Sequence, residues 1–408
     1  MLFILLYSVL SGSFRKWIID NSTFNMIITS LQIGIPWLLV WPLLKKPVQD
    51  QRQVSLLFTY IFALCFMAAN PLNLTLLHGL SGVIIHSAFL IVFTFYFAFK
   101  DTIDFNQLIF WILLCGLLQT GLGAIQSFSP ADSWINVYAG LGDDGVQEAS
   151  AYVGDAVRVT GTFSYLSGFT SFLLSYLFLN CYLFRKHPDS IWVYIVTFSG
   201  LYGALISGAR SAVGVYVATL LTFILLETKL PKKPQKLFAF GGFILLFLLL
   251  NLGLNDPIGV AEGFQTSLNN FMRRVEGNRD EGAARLYADL LDLFFRDFDY
   301  RFTGIGLGAT YQGINQVMGQ NPLLSNVYYE GELFRLMIEG GVLLVLFKFI
   351  IIGYILSKLH FSALFKFFLF ILLGIYTSLT FNVYNVIFTA VGLMVLDQAY
   401  QENEKKSA

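Results

Sequence analysis

The sequence has little of what marks a soluble enzyme. Charged residues make up 13% of its 408 positions, and it holds 3 cysteines and 4 histidines. So small a charged fraction cannot dress the surface of a water-soluble domain of this length. Cys65, Cys115 and Cys181 are odd in number, fall inside apolar runs and lack ligand spacing. They exclude a disulfide framework and read as small buried hydrophobes. His78, His86, His187 and His360 are scattered without the spacing a zinc site requires, so no metal is expected. Lys+Arg and Asp+Glu balance at 26 each, so net charge says nothing about partners, whereas its distribution does. The sharpest absence is local: from Asn255 to Gly341 there is no lysine, although seven arginines stand there (Arg273, Arg274, Arg279, Arg285, Arg296, Arg301 and Arg335).

What the chain has in abundance is hydrocarbon. Hydrophobic residues are 56% of the total, with 41 phenylalanines, which places the chain among polytopic membrane proteins. Apolar runs of about 20 residues, enough for a hydrocarbon layer of about 30 Å, recur along it. They predict spans at 24–44, 54–70, 79–99, 105–126, 160–184, 190–207, 211–228, 237–254, 336–356, 366–382 and 384–397. Met1 to Phe14 reaches only about 21 Å as a helix. It lacks the basic start and small-residue cleavage site of a signal peptide, so it reads as a short or tilted first span. The expected fold is all-α, with 11 or 12 transmembrane helices and one large extracytoplasmic helical loop. Three sections follow: N-terminal helices over 1–254, the loop over 255–335, and C-terminal helices with a short tail over 336–408.

Positive charge sorts by side. Lys45 to Arg52, Lys100, Arg185 and Lys186, Lys229 to Lys236, Lys358, Lys366 and the tail alternate with the spans and belong in the cytoplasm. With Lys348 that side holds 13 Lys and 2 Arg, whereas the other side holds 10 Arg and 1 Lys. Outer loops normally lose positive charge, so ten outer arginines point to an outer working face. Arginine differs from lysine in gripping phosphate or carboxylate bidentately through a planar fork. For Arg273, Arg274, Arg279, Arg296 and Arg301, pairing with neighbouring carboxylates on a solvated helical loop is the simpler reading.

Four other arginines are candidates for binding an anion. Arg210 lies in SGARSAVG, where small neighbours leave room for a ligand; snorkelling from a span end is its plain alternative. Arg158 opens VRVTGTFSYLSGF at a membrane re-entry. Arg285 sits in EGAARLYADLL, which has the spacing of an interfacial amphipathic helix, and it also stands four residues before Asp289. Arg335 shares a predicted helix face with Glu332 and Glu339. Glu332, or Glu330 just before it, could serve as a general base, and equally Glu332 and Arg335 could be a structural pair. GIGLG at Gly304 to Gly308 follows no strand, so it is no nucleotide loop.

Six stretches carry a wider likeness: SFRKWIID (Ser13 to Asp20), IQSFSPADSWIN (Ile125 to Asn136), VRVTGTFSYLSGF (Val157 to Phe169), SGARSAVG (Ser207 to Gly214), ARLYADLL with GIGLG, and EGELFRLMIEGG (Glu330 to Gly341). In this order they resemble the bacterial O-antigen polymerase and O-antigen ligase superfamily of membrane glycosyltransferases. The resemblance implies a GT-C-like fold in the bacterial inner membrane with its active site facing the periplasm. It implies a reaction that moves a sugar chain from undecaprenyl diphosphate to a hydroxyl of an acceptor glycan, with inversion. Family arginines matching Arg210 and Arg285 hold the diphosphate, Arg158 and Arg335 add to the positive field, and no cofactor, metal or nucleic acid is required. A chain-length regulator and a flippase are the implied protein partners. Ligases of the family carry a His-Asn pair nine residues before the Glu matching Glu339, where this chain has Glu330 and Gly331. That departure favours a polymerase, with Arg210 and Glu330 or Glu332 in catalytic roles, over a ligase acting on lipid or protein or a transporter of lipid-linked sugars.

Overall fold

The computed structural model describes residues 1–18, 21–45, 51–139, 146–148, 157–227, 268–269, 272, 298–325, 327, 329 and 331–407. The expected span 237–254, Arg285, Glu330 and most of the expected loop lie outside them. The described chain is mostly helical, with one two-stranded antiparallel ribbon, β1 (Val137–Ala139) against β2 (Val146–Glu148). The N-terminal helices are α1 (Leu2–Ser13), α2 (Ser22–Gly34), α3 (Val40–Lys45), α4 (Gln51–Ala68), α5 (Leu76–Phe99) and α6 (Phe105–Phe128). After the ribbon come α7 (Leu166–Lys186), α8 (Ile191–Ile206) and α9 (Arg210–Leu226). The C-terminal part holds α10 (Gln312–Met318), α11 (Glu332–Lys358), α12 (Ala363–Ile371) and α13 (Val383–Ser407).

Six described helical stretches are long and apolar enough to cross a bilayer: Thr23–Lys45, Leu76–Thr102, Phe105–Phe128, Leu166–Lys186, Glu332–Lys358 and Val383–Gln401. Four shorter apolar helices accompany them, Arg52–Ala68, Ile191–Ile206, Arg210–Leu226 and Ala363–Tyr376. The helices start where the sequence offers caps. Asn21, Thr75, Asp104 and Ser190 each accept a hydrogen bond from a backbone N–H of the first turn of α2, α5, α6 and α8.

The bundle closes around α13, whose residues from Val386 to Ala399 are almost all buried, and which lies along α7. Gly392 makes the close approach possible, since a Cβ there would stand 2.9 Å from Ser175 Cα. Beside this seam Phe388 meets Phe163 and Phe172 edge to face at centroid distances of 5.7 and 5.2 Å, and Phe163 and Phe172 lie tilted against each other at 6.0 Å. At the far end Tyr96 donates to Asp397 Oδ2 at 2.6 Å, and His360 N–H donates to Asp397 Oδ1 at 2.7 Å.

Two segments depart from the expected spans. The apolar run predicts helix from 160, yet α7 starts at Leu166 and the chain from Val157 to Tyr165 is irregular. Side-chain amides of α6 replace the missing helical bonds. Gln126 Oε1 accepts from Thr160 N at 3.2 Å and Gly161 N at 2.8 Å, and Gln119 Oε1 accepts from Thr162 N at 2.9 Å. Irregular backbone at membrane depth survives only where protein satisfies it in this way. Likewise 366–382 is not one helix. A turn of π-helix (Leu372–Tyr376) follows α12, and Thr377 to Asn382 are irregular.

The GIGLG run is a backbone wedge. Ile305 N–H donates to Ile338 O at 2.8 Å and Gly306 N–H to Glu339 O at 3.1 Å, which presses the run against α11. Gly308 has φ +77, and a Cβ there would lie 2.1 Å from His78 O of α5. Gly341 kinks α11 with φ +66, and its Cβ would lie 2.1 Å from Phe302 O. Gly308→Ala and Gly341→Ala therefore each combine about 1–2 kcal/mol of left-handed backbone strain with about 1–3 kcal/mol of overpacking. Thermal unfolding in detergent should show a drop of several degrees for both. Gly214→Ala on α9, with nothing within 4 Å of its Cβ, should show none.

Candidate functional site

Three arginines from distant parts of the chain meet at one cavity of about 600 Å³. Arg15 comes from the π-helical turn Phe14–Ile18 after α1, Arg158 from the irregular stretch before α7, and Arg335 from the first turn of α11. Tyr138, Tyr165, Tyr311, Phe381 and Tyr384 supply aromatic walls, and Gln32, Gln312, Asn382, Ser167 and Ser378 supply neutral polar groups. No Asp or Glu is among the described residues lining it. Thr29, Gln32 and Ile33 belong to Thr23–Lys45, so the cavity borders a helical stretch long and apolar enough to cross a membrane.

Arg15 and Arg335 are held from behind. Arg15 is 4% exposed; its Nη1 donates to Ser164 Oγ at 2.9 Å and its Nη2 to Ala139 O at 3.4 Å. Arg335 donates from Nε to Thr310 Oγ1 at 3.3 Å and from Nη2 to Thr310 O, and its guanidinium lies 4.1 Å from the Phe381 ring centroid. Arg158 is half-buried, and its carbonyl accepts from Tyr138 Oη at 3.4 Å. Four side-chain atoms of lining residues are buried with no hydrogen-bond partner among the described residues: Arg15 Nε, Arg158 Nε, Gln32 Nε2 and Tyr384 Oη. All four can donate. Buried donors of this kind mark a place that an acceptor completes. Tyr311 carries no phenolate here, because burial pushes its hydroxyl up to about 12 against the opposing pull of Arg335 and Arg15.

The arrangement of Arg335 depends on Glu339, one turn further along α11. Glu339 is fully buried and accepts from His86 Nε2 at 2.8 Å, Gly308 N at 2.8 Å, Thr310 N at 2.9 Å and Thr310 Oγ1 at 2.6 Å. Thr310 is thus fixed by Glu339 on one side and receives Arg335 on the other. Neither His86 nor Thr310 is singled out by sequence. The Glu339 partner lies on α5, far away in the chain, and no local spacing announces it.

The carboxylates expected near the reaction are placed differently. Glu332 does not pair with Arg335. It accepts from Lys348 Nζ at 2.9 Å, Leu379 N at 2.8 Å and Thr380 N at 2.6 Å, and so clamps the irregular segment after the π-turn onto α11. Its oxygens are occupied by structural partners, and it does not line the arginine cavity. Arg210 opens α9 and is not among the described cavity residues either. Arg285 and Glu330 fall outside the described residues. Arg15, which the sequence gives only as part of SFRKWIID, is at the centre.

Its neighbour Lys16 is 5% exposed and donates from Nζ to Thr160 Oγ1 at 2.7 Å and Gly161 O at 2.9 Å. Burial without a carboxylate pulls its ammonium down from 10.5 to about 7. Comparison with family models, with curated proteins and with solved structures gives no match in any of the three.

Two measurements test this geometry. The unfolded chain holds the Lys16 proton up to about 10.5 and the folded chain only to about 7, so the unfolded state binds more protons between those values and stability rises with pH across that window. The melting temperature of the wild type relative to Lys16→Met should climb by several degrees from about pH 7 to about pH 10 and stay flat below about pH 6. For the buried pair, Lys348→Met alone should cost about 3–5 kcal/mol by stranding Glu332, whereas Lys348→Met with Glu332→Leu should recover part of that loss.

Proposed function

We propose that the chain is a membrane glycosyltransferase of the O-antigen polymerase type, joining polyprenyl-diphosphate-linked oligosaccharide units at the outer face of the bacterial inner membrane. One observation carries this reading: Arg15, Arg158 and Arg335 converge on a cavity with no carboxylate among its described lining residues, bordered by a helix long and apolar enough to cross a bilayer. A lipid-linked diphosphate needs that combination. Its phosphates require forked, permanently charged donors, and its tail requires a site open to the hydrocarbon. The aromatic and amide walls suit a glycan beside the diphosphate.

In the proposed reaction an acceptor hydroxyl attacks the anomeric carbon of the donor sugar from the face opposite the diphosphate. The new C–O bond forms as the bond to the diphosphate breaks, the polyprenyl diphosphate departs with the electron pair, and the hydroxyl proton passes to a base. Arg15 and Arg335, fixed in advance by Ser164 and Thr310, stabilise the charge that grows on the leaving oxygen. Arg158 adds to the same field. Arg210 and Arg285 are assigned to the diphosphate by resemblance. Glu330 is the proposed base, since Glu332 is engaged with Lys348 and two backbone amides.

Incubating purified protein with lipid-linked repeat units and resolving the products by size tests the reading. A ladder of lengthening lipid-linked chains is expected. Arg15→Lys and Arg335→Lys should each slow it by roughly tenfold to a hundredfold, the value of about 1.5–3 kcal/mol for a hydrogen bond to a charged group. Glu330→Gln should abolish the ladder, while Arg210→Lys should impair it without harming membrane insertion. Absence of any ladder with the native donor, or full activity in all four arginine and glutamate variants, overturns the proposal.

A further inference from the structure

A second large cavity, of about 560 Å³, lies between α4 and α11 and has a different chemistry. One face of α4 lines it through Arg52, Leu56, Tyr60 and Ala63, and one face of α11 through Phe347 and Tyr354. The two helices pass each other in opposite directions. Arg52 and Tyr354 therefore stand at one mouth, while the Tyr60 and Phe347 rings meet edge to face at 5.8 Å further in. The other faces of α4 present Phe58, Phe62 and Phe66 outward, 40%, 75% and 81% exposed, so the cleft opens sideways into whatever surrounds the bundle. In a helix read as crossing a membrane, that surrounding is lipid.

We propose that this cleft is a binding site for one anionic glycerophospholipid, with an acyl chain between α4 and α11 and its phosphate at Arg52. Three features fix the occupant. Arg52 is the one charged residue among the described residues of the lining, and it stands at the mouth rather than along the wall, as a headgroup contact must. Lys358 adds a second cation at that mouth, its Nζ 5.9 Å from the Tyr354 ring centroid. Basic residues between helices at the lysine-rich side of a membrane protein select anionic headgroups in this way. From Arg52 to Ala63 the cleft descends about 16 Å at the helical rise, close to half of a hydrocarbon layer of about 30 Å. That depth suits an acyl chain of a single leaflet and is too short for a polyprenyl tail. Tyr60 and Ile351 at the inner end also line the small buried cavity that contains His86 and Lys348, so a bound chain covers the two intramembrane pairs from the hydrocarbon side.

The site is separate from the arginine cavity, and its test does not depend on glycosyl transfer. Native mass spectrometry and thermal melting of the delipidated protein in detergent, with phosphatidylglycerol or phosphatidylcholine added at equal concentration, read it directly. Phosphatidylglycerol should be retained as a single adduct with roughly tenfold preference and raise the melting temperature by several degrees more than phosphatidylcholine. Arg52→Ala with Lys358→Ala should erase the preference; both positions are exposed. Ala63→Trp, which fills the inner end, should remove the adduct of both lipids. Equal retention of the two lipids, undiminished preference in the double variant, or preferred retention of a polyprenyl phosphate overturns the proposal. So does a detergent-stable dimer that Ala63→Trp dissociates.

Discussion

One buried carboxylate organises the working end of the molecule. Glu339 sits in α11 with no solvent, where an unsatisfied charge is prohibitive. It is tolerable because four donors from two other parts of the chain converge on it: the His86 imidazole of α5 and the amides and hydroxyl of Gly308 and Thr310. The requirement runs outward from there. Donors can reach Glu339 only if the backbone from Gly304 to Thr310 lies flat between α5 and α11, which needs residues without a Cβ at the tightest points. Once that loop is in place Thr310 presents its carbonyl and hydroxyl to Arg335. The guanidinium at the cavity is thereby aimed by a charge that never touches the ligand.

The two ends of the bundle solve opposite problems. At the arginine cavity, donors exceed acceptors, and aromatic rings and neutral amides surround the excess. At the other end the surplus is of acceptors made safe: Asp397 is closed by Tyr96 and His360, and Glu227 pairs with Arg185 at 3.3 Å. Such closed pairs carry little net stability against an apolar replacement, but they define which helices lie together.

Sequence shows the helices well because apolar length is a local property. The long runs at 79–99 and 105–126 reappear as α5 and α6 with boundaries shifted by at most three residues, and 384–397 reappears inside α13, which runs on to Ser407. It fails where a partner across the chain decides the outcome. Val157 to Tyr165 is as apolar as a helix start, but Gln119 and Gln126 of α6 hold its amides in another shape. Glu332 and Arg335 share a helix face, yet Lys348 and the turn at Leu379 claim the carboxylate while Thr310 claims the guanidinium. The run of arginines without lysine from Asn255 to Gly341 is legible, and Arg158 and Arg335 line the cavity. Arg15 joins them because β1 and Ser164 anchor it, a contact that no spacing in SFRKWIID encodes.

The position of α13 bears on how the protein is made. Its groove on α7 is lined by Ser175 and Phe178, and Gly392 is shaped to enter it, but α7 leaves the ribosome long before α13 does. Until then α7 must stand in the insertion machinery or in lipid with a polar, glycine-fitted flank uncovered. Bundle closure is a late, non-local event of the kind that slows folding. A synthesis stalled ahead of Val383 would leave α6, α7, α8 and α9 packed on one another but the seam on α7 uncovered.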